Sequence, residues 1–210
     1  MNAVDAKKLK EMIFAASDDI VANEQYLCEL DSYVGDGDHG VTVARGFRAV
    51  KEALNSENDL SIAALLVTIG DALTESMGGA IGPIFGSIFT AMGENAEDIN
   101  EIDTAKMAAL FHAALEEVQL VGGAQAGDRT LVDALVPAVE ALEKSAAAGD
   151  ALANAMQMAA QAAQQGAEAT KDMVAKKGRA KFLQEKSKGY QDAGATSMTI
   201  VLQAMAKHAQ

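Results

Sequence analysis

Apolar residues recur at helical spacing along almost the whole of this chain. Leu9, Met12, Ile13, Ala16 and Ile20 form one stripe, Ile62, Leu65, Leu66, Ile69 and Leu73 a second, and Met107, Leu110, Phe111, Ala114, Leu115 and Val118 a third. A period near 3.6 places each set on one face of a helix. No segment sustains the alternation of a half-buried strand, and only Pro83 and Pro137 interrupt the pattern. The chain has no Trp and is 4% aromatic, so Ala, Leu, Ile, Val and ten Met must fill the core. Those residues suit close-packed helices better than sheets. The fold class is therefore all-α. The spacing predicts eight antiparallel amphipathic helices in an up-and-down arrangement, over 4–30 with a break near 22, 40–55, 60–77, 82–95, 103–120, 129–146, 150–177 and 195–208. Asp103 and Asp150 suit N-cap positions. The Ala-, Gln- and Met-rich stretch 151–170 keeps Leu152, Ala155, Met156 and Ala159 on one face and reads as helix. No linker or fixed-period repeat breaks the chain, so residues 1–210 are expected to form one domain.

Charge and composition exclude several functions. A net charge of −13 argues against binding a nucleic-acid backbone. No apolar run reaches the roughly 20 residues of a membrane span. The N-terminus becomes charged at Asp5, Lys7 and Lys8 without an apolar signal core. Cys28 is the sole cysteine, which rules out an internal disulfide or a multi-thiolate zinc site and leaves it a small core residue. A cytoplasmic location follows as the simplest expectation. An acidic chain that held a polyphosphate would need metal ions, backbone N–H groups or a few local cations to reverse the field.

The glycines carry more information than the helices. They cluster at Gly35 to Gly40, Gly78 to Gly82, Gly122 to Gly127, and Gly178 through Gly189 to Gly194. These clusters fall in the connections after the first, third, fifth and seventh expected helices. Connections in an up-and-down bundle alternate between its ends, so all four should meet at one pole.

The richest connection is Asp31-Ser32-Tyr33-Val34-Gly35-Asp36-Gly37-Asp38-His39-Gly40. Crowded carboxylates repel unless a cation neutralises them, and hard oxygen ligands select Mg²⁺, Mn²⁺ or Ca²⁺. The EF-hand pattern fails, because numbering from Asp36 puts Phe47 where a bidentate Glu belongs. The helix start at Gly40-Val41-Thr42 offers free N–H groups to phosphate oxygens. Carboxylate loop and helix start together read as a magnesium-polyphosphate site, and the alternative is a solvated acidic turn. Arg179, in the most basic run of the chain, could supply local positive charge; the neighbouring lysines read as a solvated helix end. His39 has no Ser or Cys nucleophile beside it and suits hydrogen bonding to a phosphate or a ligating carboxylate better than acid–base work.

Five ordered motifs resemble the L subunits of bacterial dihydroxyacetone kinases over nearly the full chain. They are Asp31 to Gly40, Met77-Gly78-Gly79-Ala80-Ile81-Gly82-Pro83, Gly127-Asp128-Arg129-Thr130, Lys177-Gly178-Arg179-Ala180, and Gln191-Asp192-Ala193-Gly194-Ala195-Thr196-Ser197. The resemblance implies an eight-helix barrel with ADP or ATP and two Mg²⁺ at one end. It implies Asp31, Asp36 and Asp38 as metal ligands, and His39, Gly40, Val41 and Thr42 along the phosphates. Gly79, Ala80 and Ile81 would pass beneath the nucleotide, with Gly122 and Leu131 near base or ribose. Arg179, with a catalytic role, and the Asp192-Ala193-Gly194 turn would close the site. In the family's phosphotransferase-system members, bound ADP takes a phosphoryl group from a DhaM subunit and passes it to dihydroxyacetone on a DhaK subunit. The resemblance implies the same partners here, with no activity from this chain alone. An ATP-exchanging subunit of a related ketose kinase, such as one for erythrulose, and a nucleotide-sensing subunit are the rival readings. Ile81 stands where the family often has Ser or Thr, and Thr42 where some members have Asn.

Overall fold

The computed structural model describes residues 2–57 and 59–210. The first expected helix is two, α1 (Ala6–Ala22) and α2 (Glu24–Ser32), divided at Asn23. The Asn23 side chain donates to Asp19 O at 2.8 Å, competing with the helical ladder as short amides do and turning the chain there. There follow α3 (His39–Ser56), α4 (Ile62–Ser76), α5 (Ile81–Glu94), α6 (Thr104–Gly122), α7 (Val132–Ala148), α8 (Leu152–Ala169) and α9 (Ala193–His208). The only strands among the described residues are β1 (Ala3–Val4) and β2 (Ile102–Asp103), a two-residue antiparallel pair that tethers the N-terminus.

With α1 and α2 counted as one rod, the eight expected helices are present. Each packs on the next in chain order, and α9 closes the ring by packing on both α8 and α1. The result is a barrel of alternating helices filled by their apolar stripes. One continuous core includes Leu9, Ile13, Phe47, Leu66, Phe85, Phe111, Leu135 and Met198. Phe47 and Phe85 meet edge to face at its centre, 6.4 Å between centroids.

The largest differences from the sequence reading fall around α7 and α8. Helix α8 stops at Ala169 instead of 177, where the buried Thr170 hydroxyl bonds to Ala167 O and accepts the Asp192 amide at 2.9 Å. The chain then continues through two 3₁₀ segments, Thr170–Asp172 and Arg179–Ser187. Helix α7 starts at Val132 instead of 129, since Asp133 folds back to accept the Gly127 and Thr130 amides. Asp150 precedes the cap of α8; Ala151 holds that position, with no side-chain cap.

The two poles of the barrel differ in how their helices begin. At one pole α1, α4 and α6 are capped by the side chains of Asp5, Ser61 and Asp103, and only α8 is not. At the other, α3, α5 and α7 start at Asp38, Ala80 and Leu131 with no side-chain cap, and only α9 is capped, by Asp192. The uncapped first turns of α3 and α5 leave N–H groups free and the positive ends of their dipoles exposed, whereas the first amides of α7 bond to Thr130 and Leu131.

Candidate nucleotide and metal site at the uncapped pole

The four glycine-rich connections meet at that second pole around a cleft of about 650 Å³. It is lined by the starts of α3, α5, α7 and α9 and by residues 177–180. Alternating direction forces this convergence: every helix that begins here follows one of those connections.

Of the residues implied by the resemblance, Asp31, Asp36, Asp38, His39, Val41, Thr42, Gly79, Ala80, Ile81, Gly122, Leu131, Arg179, Asp192, Ala193 and Gly194 all line the cleft. Gly40 does not. It is buried against α2, and a Cβ there would collide with Glu24 O and the Cys28 backbone. Its side-chain-free position lets α2 and α3 approach closely enough to hold the acidic loop between them. Cys28, half-buried, lies on the other side of that contact.

The acidic loop is organised by Asp31. Its carboxylate accepts the Gly37 amide at 2.9 Å and the Asp38 amide at 3.2 Å, drawing the loop back onto the end of α2. A Cβ at Gly35 would strike this carboxylate. Gly37, at φ +76°, makes the turn that an L side chain resists. Asp38 sits at the cap position of α3, yet its side chain does not cap the helix. It faces Asp31 and Asp36 instead, and one oxygen from each of the three lies within 4.8 Å of the others. Burial first, and then the Asp36 and Asp31 charges, raise the Asp38 pKa above the ordinary carboxylate value. A site that raises a carboxylate in this way favours a cation among its oxygens. Arg179 reaches over from the strap between α8 and α9 and pairs with Asp36 at 2.5 Å. The donor set suits a hard divalent ion, with three carboxylates and no thiol or imidazole within the cluster.

His39 opens α3, and its Nε2 lies 3.0 Å from the Ser197 hydroxyl on α9, tying two helix starts together. Burial pushes its pKa down to about 4, although the Asp31 charge and the Ala193 backbone act the other way. Its imidazole is neutral near pH 7, so any positive contribution from this residue comes from its backbone N–H. The start of α5 contributes its free amides through Gly79, Ala80 and Ile81. Gly79 is at φ +68° with open space where a side chain would be. Ile81 supplies no hydroxyl, and Pro83 in the same turn no amide.

Sequence reasoning missed the residues that hold the remaining wall. Asp133 fixes the 127–130 turn as described. Asp128 accepts the Gln125 amide at 3.0 Å and pairs with Lys176 at 3.1 Å, and these contacts lower its pKa, the Gln125 amide most. Arg129 is buried beneath the same turn in a left-handed backbone at φ 62°. A Gly-Asp-Arg-Thr run signals a turn, but nothing local reveals that its arginine is inside the protein.

Comparison with known proteins places this architecture in a family. Residues 33–207 match the DAK2 domain. The chain is 36% identical over 189 residues, 90% of each sequence, to the PEP-dependent dihydroxyacetone kinase ADP-binding subunit DhaL of Escherichia coli. It is 39% identical over 91% of its length to the L-erythrulose kinase of Pectobacterium atrosepticum, of which it spans only 33%. The dihydroxyacetone kinase of C. freundii, solved with AMP-PNP and Mg²⁺, superposes with a TM-score of 0.74 at 30% identity, over 99% of this chain and 34% of that one. Its closed ring of helices, the cleft at one pole and these similarities over nearly its full length agree, and the chain belongs to the DAK2-domain family of dihydroxyacetone kinase DhaL subunits.

Proposed function

We propose that this chain is the nucleotide-holding subunit of a ketose kinase. It would retain Mg-ADP in the uncapped-pole cleft and relay a phosphoryl group from a donor subunit to dihydroxyacetone on a second subunit. The observation that carries this reading is the convergence of Asp31, Asp36 and Asp38 beside the uncapped starts of α3 and α5. Cation-seeking carboxylates and anion-seeking amides face one cleft, as a magnesium-complexed polyphosphate demands. The relatives' naming as subunits supports a multi-subunit kinase. A DhaK-like ketose holder and a DhaM-like donor are the partners proposed, in the cytoplasm, with residues 1–210 acting as one domain. Among the described residues no helix is long and apolar enough to cross a membrane.

Asp31, Asp36 and Asp38 would hold two Mg²⁺. When bound, the metal–nucleotide group supplies a phosphoryl carrier whose charge is already partly neutralised. The chain's own residues fix its position. Amides of the first turns of α3 and α5 would donate to the phosphate oxygens, and Gly79 would let the backbone pass close beneath. Gly122 and Leu131 provide an apolar wall for base or ribose. Arg179, on the strap and paired with Asp36, would place positive charge beside the phosphoryl group, where fixed charge lowers the barrier to transfer.

Mass spectrometry of the natively purified chain tests the reading. Retained adenine nucleotide, followed by transfer to dihydroxyacetone only when both partners are added, is the expected result. A second reading, in which the partner's sugar is erythrulose, draws on the 39% identity to L-erythrulose kinase. Offering both ketoses to the reconstituted complex separates the two. A complex that binds nucleotide but transfers to neither sugar would favour a sensing role instead.

A further inference from the structure

We propose that Arg129 is the positioning residue that locks the 173–192 strap over the cleft, acting on nucleotide retention through that strap. The proposal rests on the nucleotide reading above and adds the residue on which retention depends. Arg129 is the largest fully buried side chain, 1% exposed, and it borders the cleft from within the wall, with its guanidinium turned toward the strap. Nη2 donates to Tyr190 O at 2.8 Å, and Nη1 lies 3.8 Å from Asp192 Oδ1. Both partners belong to the end of the strap, immediately before α9. Nε and Nη1 have no hydrogen-bond partner.

This arrangement is costly in two ways. An incompletely paired buried charge is unfavourable, and a non-glycine residue at φ 62° is strained. An apolar side chain would fill the space more stably. Observed strain and unspent hydrogen-bonding capacity at the wall of a site point to a positional role. What Arg129 holds is also clear. Asp192-Ala193-Gly194 line the cleft, and Asp192 caps α9 through the Ala195 amide at 2.8 Å. Tyr190 stacks on Tyr33 of the acidic loop, with centroids 4.9 Å apart and planes 16° from parallel. One guanidinium thus fixes the strap's C-terminal end, and the Tyr190–Tyr33 stack carries that restraint to the loop bearing Asp31, Asp36 and Asp38. Arg179 lies on the same strap, so its reach to the cleft depends on the same anchor.

The strap carries Lys176, Lys177, Arg179, Lys181, Lys186 and Lys188, so limited trypsin digestion reports its docking without any nucleotide. The only tyrosines are Tyr26, Tyr33 and Tyr190, in a chain without Trp, so tyrosine fluorescence reports the stack. R129M, R129K and Y33A are compared with the wild type by trypsin rate, tyrosine fluorescence and Mg-ADP dissociation. R129M should accelerate strap cleavage and weaken Mg-ADP binding about tenfold or more, with helical circular dichroism unchanged. R129K, which keeps the charge but reaches only one partner, should recover part of both. Y33A should loosen the strap with Arg129 intact. Wild-type strap protection and wild-type Mg-ADP affinity in R129M would overturn the proposal. So would a lowered melting temperature with no strap-specific cleavage. If R129M does not fold, the same readings on R129K and Y33A decide. A wild-type chain that binds no Mg-nucleotide would defeat the nucleotide reading, and the trypsin rates would then decide the anchor alone.

Discussion

Asp36 experiences two opposed effects. It accepts Arg179, an ion pair with both side chains substantially exposed, and it crowds Asp38, whose carboxyl is raised by burial first and by the Asp36 charge second. Exposed pairs of this kind contribute about 0–1 kcal/mol, so relief of the carboxylate repulsion can offset the loss. Asp36→Asn should therefore leave the unliganded protein within about 1 kcal/mol of wild type while abolishing magnesium and nucleotide retention. Urea denaturation with and without Mg-ADP checks both halves; retention at wild-type strength would remove Asp36 from the ligand set. His39 gives a pH signature. Its folded pKa of about 4 lies below the ordinary 6.5, so the unfolded chain takes up a proton that the folded chain resists. Stability is present above pH 6.5 and is lost as pH falls toward 4. His39→Gln should flatten that loss, read from urea midpoints at several pH values. Asp192 works in the opposite sense. Burial raises it to about 6, so its contribution is full below 3.8 and is lost as pH rises through 6.

At the scale of elements, the acidic loop and the helix starts make separable contributions. Gly35→Ala places a methyl group against the Asp31 carboxylate and should weaken magnesium binding far more than it lowers the melting temperature. Asp103→Ala removes the α6 cap at the opposite pole. It should cost about 1 kcal/mol of stability and leave nucleotide retention untouched. A cap mutation that altered retention would show that the poles are not independent. The sequence made the helices legible because apolar periodicity is a local signal, and Asn23, the division of the first helix, lay one residue from the expected break. The pole was legible because alternating helix direction turns loop parity into geometry. The end of α8 was not legible, since Thr170 is held by an amide 22 residues away at Asp192. Nor was the burial of Arg129, whose partners lie about 60 residues further along the chain. Gly40, assigned to the phosphates by motif, has a packing role the motif did not reveal, holding α2 close against α3.

For the whole molecule, a closed ring of helices around an apolar core gives the cleft rigid walls. Phe47 and Phe85 sit in that core, and Phe47→Ala should cost about 3–5 kcal/mol of stability, read as a large shift in the denaturant midpoint. Mg-ADP should stabilise the chain by about 2.7 kcal/mol at a hundredfold excess over its Kd, and chelation of the metal should reverse the gain. The −13 charge is compatible with a polyphosphate ligand only because the uncapped pole combines helix starts, Arg179 and a carboxylate cluster that recruits cations. The central claim is that this pole retains a magnesium-complexed adenine nucleotide, and native mass spectrometry of the purified wild-type chain beside Asp36→Asn tests it most directly. The account expects a wild-type mass increased by one adenine nucleotide and its magnesium, absent from the variant. A bare wild-type chain that stays bare at saturating Mg-ADP would contradict it.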